Sequence, residues 1–309
     1  MDRNTPDMRV WAALAAVYVV WGSTYLGIRL TIDTIPPLLS GGLRFVAAGL
    51  LLGGVLALRR GAAAFRMTWR QAGGATLAGL LLLTGGNGMV AVAEQHISSG
   101  LAALLVASVP LWLVVFRLVA RDRPYLLTLA GVLIGFGGVA GLSLTGGGGP
   151  SSTSGIVVIL LGSLSWSAGS FLSGRIAMPR DPFVASTVEM LAGGATLLVA
   201  GTALGERLDP AGVSPTSWLA LVYLILIGSL VGFTSYVWLL GNAPITLVST
   251  YAYVNPVVAV LLGTAVLSEP LTPPMIAGGL LIVVGVALVV STERRDRRPP
   301  ATAPALDRA

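Results

Sequence analysis

Long apolar runs separated by short polar segments organise this chain from end to end. Each run is close to the roughly 20 residues that a helix needs to cross the hydrocarbon core of a bilayer. The pattern therefore predicts an all-α integral membrane protein with ten transmembrane helices. The predicted spans are Val10–Ile28, Pro37–Leu58, Gln71–Ala93, Ser98–Ala120, Tyr125–Leu144, Gly155–Ala177, Pro182–Leu204, Ser217–Gly241, Thr246–Leu267 and Pro273–Ser291.

The arginines between these runs predict the orientation of the chain. With the N-terminus inside, 16 arginines fall on the cytoplasmic side, and only Arg29 and Arg207 fall on the outer side. Cytoplasmic loops of membrane proteins carry an excess of basic residues. Both termini are therefore predicted to be cytoplasmic, and the remaining arginine, Arg44, falls inside a span.

The two halves of the chain resemble each other. A shift of 145 positions places Trp21 on Trp166, and a shift of 146 places Pro110 on Pro256. Because each half holds five predicted spans, the second half would enter the membrane from the opposite side, as in an inverted-topology repeat around a central cavity. The predicted organisation is a first repeat over 9–145, a Gly-rich outer linker over 146–154, a second repeat over 155–291 and a disordered, basic cytoplasmic tail over 292–309.

Composition narrows the class of protein. Only 10% of the 309 residues are charged, against about 25% in soluble domains, and the mean hydropathy is +0.85. With no cysteine, one histidine and no lysine, neither a metal cluster nor a P-loop is expected, and no cofactor is predicted. The net charge of +6 follows the cytoplasmic arginines and does not indicate nucleic-acid binding. The expected partners are a small-molecule substrate and membrane lipid, with a homodimer left open.

Two prolines mark the candidate site. Pro110 and Pro256 lie near the middle of the fourth and ninth spans, where proline removes an internal hydrogen bond and bends a helix. Paired interruptions in two halves point to the binding site of a transporter. Polar and aromatic residues of the spans are the candidate cavity lining, although core packing is an equal alternative for the aromatic ones. They are Trp21, Tyr25, Arg44, Asn87, Ser108, Trp112, Trp166, Ser170, Tyr236, Tyr251 and Asn255.

Two ionisable side chains fall clearly within the spans. Arg44 lies eight residues beyond Pro36, about 12 Å along a helix. It either faces a cavity or partner or extends to the outer headgroups. Glu189 is a candidate for proton coupling, because burial of a carboxyl disfavours its charged form; a hydrogen-bonded structural role is the alternative. Glu94–His96 is predicted to be a solvated outer loop, with a gate or protonation site as the alternative.

Three segments carry a resemblance to a known family: WGSTYLGIR, AEQHISSGLAALLVASVPLW and SEPLTPPMIAGGLLIVVGVAL. In their order the chain resembles the drug/metabolite transporter superfamily, and within it the EamA-type ten-helix exporters, over residues 9–291. The family usually has Gly-Glu-x after the fourth helix, whereas this chain has Arg121–Asp122–Arg123 there. The resemblance implies two inverted five-helix halves around a cavity in a bacterial inner membrane.

The function implied is a secondary transporter that exports small metabolites or drugs by alternating access. Amino-acid-like, aromatic and cationic substrates all remain open at this point. An importer or exchanger of the same fold is the alternative within transport. An intramembrane enzyme is disfavoured, because the sequence has no nucleophile elbow and no pair of intramembrane aspartates.

Overall fold

The computed structural model describes residues 8–121, 125–145, 152–243 and 251–296. These residues are helical apart from turns and one short 3-10 segment after α2, and no strand occurs among them. In chain order the helices are α1 (Met8–Thr31), α2 (Pro37–Arg60), α3 (Trp69–Ala93), α4 (Ser99–Val119), α5 (Leu126–Thr145), α6 (Thr153–Ser173), α7 (Pro182–Ala203), α8 (Pro215–Tyr223 continued by Leu224–Val231 and Gly232–Asn242), α9 (Tyr251–Leu267) and α10 (Pro273–Asp296).

Most of these helices have the length and composition of membrane spans. In the described residues, α1 to α8 each contain a stretch long and apolar enough to cross a bilayer, and α9 and α10 contain shorter apolar stretches. The predicted all-helical membrane class is therefore confirmed, whereas the count of ten spans stays a prediction. Residues 146–151 of the predicted linker, the start of the ninth span at 246–250 and the tail from 297 lie outside the described residues.

Most predicted boundaries in the described residues lie within three residues of the observed ones, but the ends of α6 and α10 differ by more. Helix α6 ends at Ser173 rather than Ala177, because the chain turns there before the polar segment that leads to Asp181. Helix α10 continues to Asp296, beyond the predicted boundary at Ser291 and into the predicted tail. Hydropathy locates the apolar part of a helix, but backbone hydrogen bonding continues into polar sequence beyond it.

Several helices have an N-cap side chain. It accepts a hydrogen bond from a backbone N–H group of the first turn, where these groups have no partner within the helix. Thr68 forms a capping box with Gln71 at the start of α3. Single side-chain caps begin four others: Ser98 for α4, Ser152 for α6, Asp181 for α7 and Ser214 for α8. These caps fix where each helix starts and therefore which residues it presents to its neighbours.

Two carboxylates join helices at one end of the bundle, which we call the carboxylate face. Glu206, after α7, accepts hydrogen bonds from the backbone N–H of Leu38 and Leu39 at the start of α2, at 3.2 and 2.9 Å. Glu269, after α9, accepts from the N–H of Ser99 and Gly100 at the start of α4, at 2.8 and 3.0 Å. A carboxylate at a helix N-terminus also interacts favourably with the helix dipole. The two contacts therefore tie the second half of the chain to the first.

Helices pack in matched pairs. Helices α2 and α7 lie together along their length, as do α5 and α10; α1 packs on α8 and α9, and α6 packs on α3 and α4. Glycines allow the closest of these approaches. At the α5–α10 crossing, a Cβ atom added to Gly285 would lie 2.5 Å from Gly135 N and 2.6 Å from Gly131 O. Close backbone contact through small residues is the usual way in which helices associate in lipid.

Several helices are interrupted near the middle of the bundle. Helix α4 breaks at Ala107 and Ser108, so that Pro110 lies in the first turn of a new segment, Val109–Val119. The structure thus has a break where a bend was predicted, because proline fits a first helical turn, where its missing N–H is not needed. Pro256 lies inside α9. Helices α3 and α8 contain π-helical segments, Leu80–Gly88 and Leu224–Val231, a feature common at functional sites.

Candidate functional site

A cavity of about 190 Å³ lies at the centre of the bundle. Helices α1 to α4 and α6 to α9 supply its wall, so that the interrupted helices all border it. The wall is mostly apolar and aromatic, with a few polar groups and one charge, which is the usual composition of a small-molecule site. Among the residues predicted from sequence, those that line it are Trp21, Tyr25, Arg44, Asn87, Pro110, Trp166, Tyr251, Asn255 and Pro256.

Four predicted residues lie outside this wall. Ser108 is buried and donates a hydrogen bond to Leu105 O at 2.6 Å, within the break of α4. Trp112 packs edge-on against Phe136 of α5, with ring centroids 4.8 Å apart. Ser170 donates to the Trp166 carbonyl oxygen at 2.9 Å. Each of these three side chains makes a local contact, and none of them lines the cavity.

The fourth, Tyr236, belongs to an aromatic cluster behind the wall. The Trp21 ring lies 5.1 Å from the Tyr236 ring and 5.2 Å from the Tyr251 ring, and Tyr236 and Tyr251 are 5.9 Å apart. Such tilted and edge-on pairs stabilise one another beyond simple burial. Tyr236 therefore holds in place two rings that do line the cavity.

The structure adds lining residues that the sequence interpretation did not select. They are mainly Thr24, Phe45, Ser163, Met190, Ser229 and Phe233. Thr24 could have been predicted from the sequence as a lining residue, because it lies three residues after Trp21 and on the same helical face. Ser163 and Ser229 lie within largely apolar spans, where serines often bond only to the backbone of their own helix.

Each of the two lining tryptophans fits against a glycine of a helix from the other half. A Cβ atom added to Gly232 of α8 would lie 2.7 Å from Trp21 Nε1, and one added to Gly86 of α3 would lie 2.8 Å from Trp166 Cε3. Any larger residue at these glycines would displace the indole rings. The tryptophans are thus held rigidly at the wall.

Among the described residues that line the cavity, Arg44 is the one that carries a charge. It is only 7% exposed, so it faces the cavity and does not extend to the headgroup region. Its Nε donates to Ser229 Oγ of α8 at 3.0 Å, and its guanidinium carbon lies 4.8 Å from the centre of the Phe45 ring. Among the described residues, Arg44 has no ion pair, and no Asp or Glu lines the cavity.

Asn255 connects α9 with α1 at the edge of the cavity. In the amide orientation that pairs donors with acceptors, its nitrogen donates to the carbonyl oxygens of Tyr18 and Tyr251, at 3.3 and 3.2 Å. Through these two bonds Asn255, immediately before Pro256, links the two helices at the edge of the cavity.

Glu189 lies away from the central cavity. It is part of α7, where Gly79 of α3 packs directly against its backbone. Its side chain is partly buried and forms no hydrogen bond or ion pair with the described residues. A role in proton coupling would therefore act at the α3–α7 contact, at a distance from the cavity lining.

The burial of Glu94 contradicts the prediction that Glu94–His96 forms a fully solvated loop. Gln95 and His96 are exposed, but the Glu94 side chain is only 1% exposed, and neither carboxyl oxygen has a hydrogen-bond partner in the described part of the chain. Arg29 Nη1 donates to the Glu94 backbone oxygen at 3.2 Å. Burial raises the pKa of the Glu94 carboxyl well above its usual range, the charge of Glu269 adds to this, and Arg29 opposes it.

A helical membrane bundle around a mostly apolar and aromatic cavity with a few polar groups has the form of a small-molecule transporter. Comparison with known proteins gives the same class. The EamA-like transporter family matches residues 9–144 and 153–291, and the chain belongs to this family. The sequence resemblance to EamA-type proteins is thereby confirmed, and the family and the named relatives identify the chain as a membrane transporter.

Similar proteins support this assignment. "Uncharacterized inner membrane transporter YedA" of Escherichia coli (strain K12) is 40% identical over 302 residues, covering 97% of this chain and 96% of its own length. "Uncharacterized transporter YvbV" of Bacillus subtilis (strain 168) is 28% identical over 299 residues, covering 96% of each. A crystal structure that is 22% identical covers 95% of this chain and 100% of its own, with a TM-score of 0.65, a likeness of fold alone.

Proposed function

We propose that this protein is a secondary transporter that exports small metabolites or drugs from the cytoplasm by alternating access. The observation that carries the proposal is the central cavity, where eight helices, several of them interrupted, surround a buried arginine and aromatic rings. Interrupted helices at the middle of a bundle are typical of transporter binding sites. Relative movement of the two halves would open this cavity to one side of the membrane at a time.

The pattern of contacts supports two inverted five-helix repeats over 9–145 and 155–291. The shift of 145 to 146 positions that relates Trp21 to Trp166 also relates Gly86 to Gly232. The contact of Trp21 with Gly232 is therefore the counterpart of the contact of Trp166 with Gly86. Helices α2 and α7 pack together, as do α5 and α10. Each pair joins corresponding helices of the two halves, as expected for repeats related by a two-fold axis.

The arginine bias supports an orientation with both termini in the cytoplasm. The carboxylate face, with Glu206 and Glu269, would then be the outer face. The name of the Escherichia coli relative supports placement in a bacterial inner membrane. Flux direction does not follow from the fold, and an importer or exchanger differs only in the gradients that drive it.

The proposal is tested by transport through the purified chain. Cells that overexpress it are screened for resistance to toxic metabolites and drugs, and each compound found is loaded into proteoliposomes containing this chain alone. We expect efflux that protein-free liposomes lack. Asn87→Ala, in the cavity wall, should reduce it, whereas Gln95→Ala, on the exposed surface, should not. Equal leakage with and without protein would contradict the proposal.

A further inference from the structure

The guanidinium of Arg44 has more donors than the described residues satisfy. Its Nε is bonded to Ser229, but neither Nη atom has a hydrogen bond within the described residues. A guanidinium carries five N–H donors, and a buried charge without partners is strongly disfavoured. Since Arg44 is 7% exposed and lines the cavity, its remaining donors are available to a molecule in that cavity.

No acidic group in the described part of the chain balances this charge. Among the described residues the one ion pair is between Arg60 and Asp181, which are both partly exposed and do not line the cavity. Glu189 lies on a helix next to α2 but forms no ion pair with Arg44. Glu94 is buried, but it does not belong to the cavity wall either. The cavity therefore carries a net positive charge supplied by Arg44.

We infer that the substrate is an organic anion: its carboxylate pairs with the Nη atoms of Arg44, and its planar apolar part packs against Trp21, Trp166 and Tyr251. This inference rests on the proposed transport function and names its substrate class. The planar fork of arginine matches a carboxylate with two parallel hydrogen bonds. The bond from Nε to Ser229 and the neighbouring Phe45 ring hold the guanidinium in one orientation.

The same geometry orders related compounds by charge. An amine in this cavity has no carboxylate to pair with and is repelled by Arg44. An amino acid carries both a carboxylate, which pairs with Arg44, and an ammonium group, which Arg44 repels. A monoanion should therefore bind more tightly than the zwitterion of similar size, and the cation should bind least. Of the substrate types left open by the sequence, the cationic one is thus disfavoured.

The test uses four probes with the same phenylpropyl skeleton: 3-phenylpropionate, phenylalanine, 3-phenylpropanamide and 3-phenylpropylamine. Binding to the purified protein is measured by thermal stabilisation and tryptophan fluorescence. We expect the parent to bind the anion about tenfold more tightly than the amide, the equivalent of one charge-assisted hydrogen bond. Equal binding of the amine or amide, or binding of none of the four, would overturn the inference.

Variants separate the role of Arg44 from a general effect on folding. Arg44→Gln should abolish the preference for the anion over the amide, and an unchanged preference would overturn the inference. Should Arg44→Gln fail to fold, Ser229→Ala provides the test. It keeps the charge but removes the bond to Nε, so affinity for the anion should fall severalfold while affinity for the amide stays the same. Equal losses for both probes would again count against the anion site.

Proteoliposomes then distinguish this inference from the proposed function. If the anion binds through Arg44 but does not cross the membrane, the transport proposal fails and the anion site stands. If the amine is transported and the anion is not, transport stands and the anion site fails. Movement of the anion that is lost in Arg44→Gln supports both.

Discussion

The crossing of α5 and α10 allows a quantitative test of the packing. Replacing Gly285 with Ala adds a Cβ atom at 2.5 Å from Gly135 N and 2.6 Å from Gly131 O, whereas ordinary contact begins at 3.4 Å. These neighbours are backbone atoms that cannot rotate away, so the helices must separate by ~1 Å. Overpacking of this kind costs roughly 1–3 kcal/mol. Unfolding by a denaturing detergent, followed through helical circular dichroism, measures the loss.

Gly137→Ala is the matched control. Gly137 lies on the exposed face of α5, with no atom within 4 Å of an added Cβ. Both variants gain the same helix propensity, up to about 1 kcal/mol, so the difference between them reports the contact alone. We expect Gly285→Ala to unfold at lower detergent fractions than Gly137→Ala. Equal stability of the two variants would refute the close approach of α5 and α10.

Two further predictions concern carboxyl groups. Glu94 has a raised pKa in the folded protein, through burial first and then the charge of Glu269, against the opposing Arg29. Stability should therefore fall as the pH rises from the usual glutamate pKa towards the raised one, and Glu94→Gln should flatten this dependence of Tm and raise Tm at neutral pH. A parallel pH profile in parent and variant would contradict the burial of Glu94. Glu189→Gln should abolish acceleration of transport by a pH gradient while substrate binding remains measurable. A variant that responds to the gradient like the parent would remove Glu189 as the coupling site.

The positions of the helices could be predicted from sequence because lipid imposes a simple rule. A span needs a certain length of apolar residues, and backbone groups must bond within it. For this reason α2 begins at Pro37 and α3 ends at Ala93, as predicted. Whether α4 would bend or break near Pro110 could not be predicted from the sequence. Proline is compatible with both a bend and a break, and the local bonds of Ser108 accompany the break that the structure has.

The direction in which each side chain points could not be predicted from hydropathy. Arg44 can reach either the headgroups or a cavity, and the rotation of α2 against α7 and α8 places it in the cavity. Trp112 and Trp166 are both tryptophans within predicted spans, yet Trp112 packs on α5 and Trp166 lines the cavity. Glu94 precedes two exposed residues but is itself buried. These outcomes depend on helix rotation, which sequence alone does not specify when every face of a helix is apolar.

The most direct test of alternating access uses the absence of native cysteine. A single cysteine at Thr24, in the cavity wall, is treated with a membrane-impermeant thiol reagent in right-side-out and in inside-out vesicles. Cysteines at the exposed positions Ala63 and Gln95 serve as controls, and each should react from one side only, Ala63 from the cytoplasm and Gln95 from outside. The account predicts that the Thr24 cysteine reacts from both sides. Reaction from one side alone would mean a blind pocket and would contradict it.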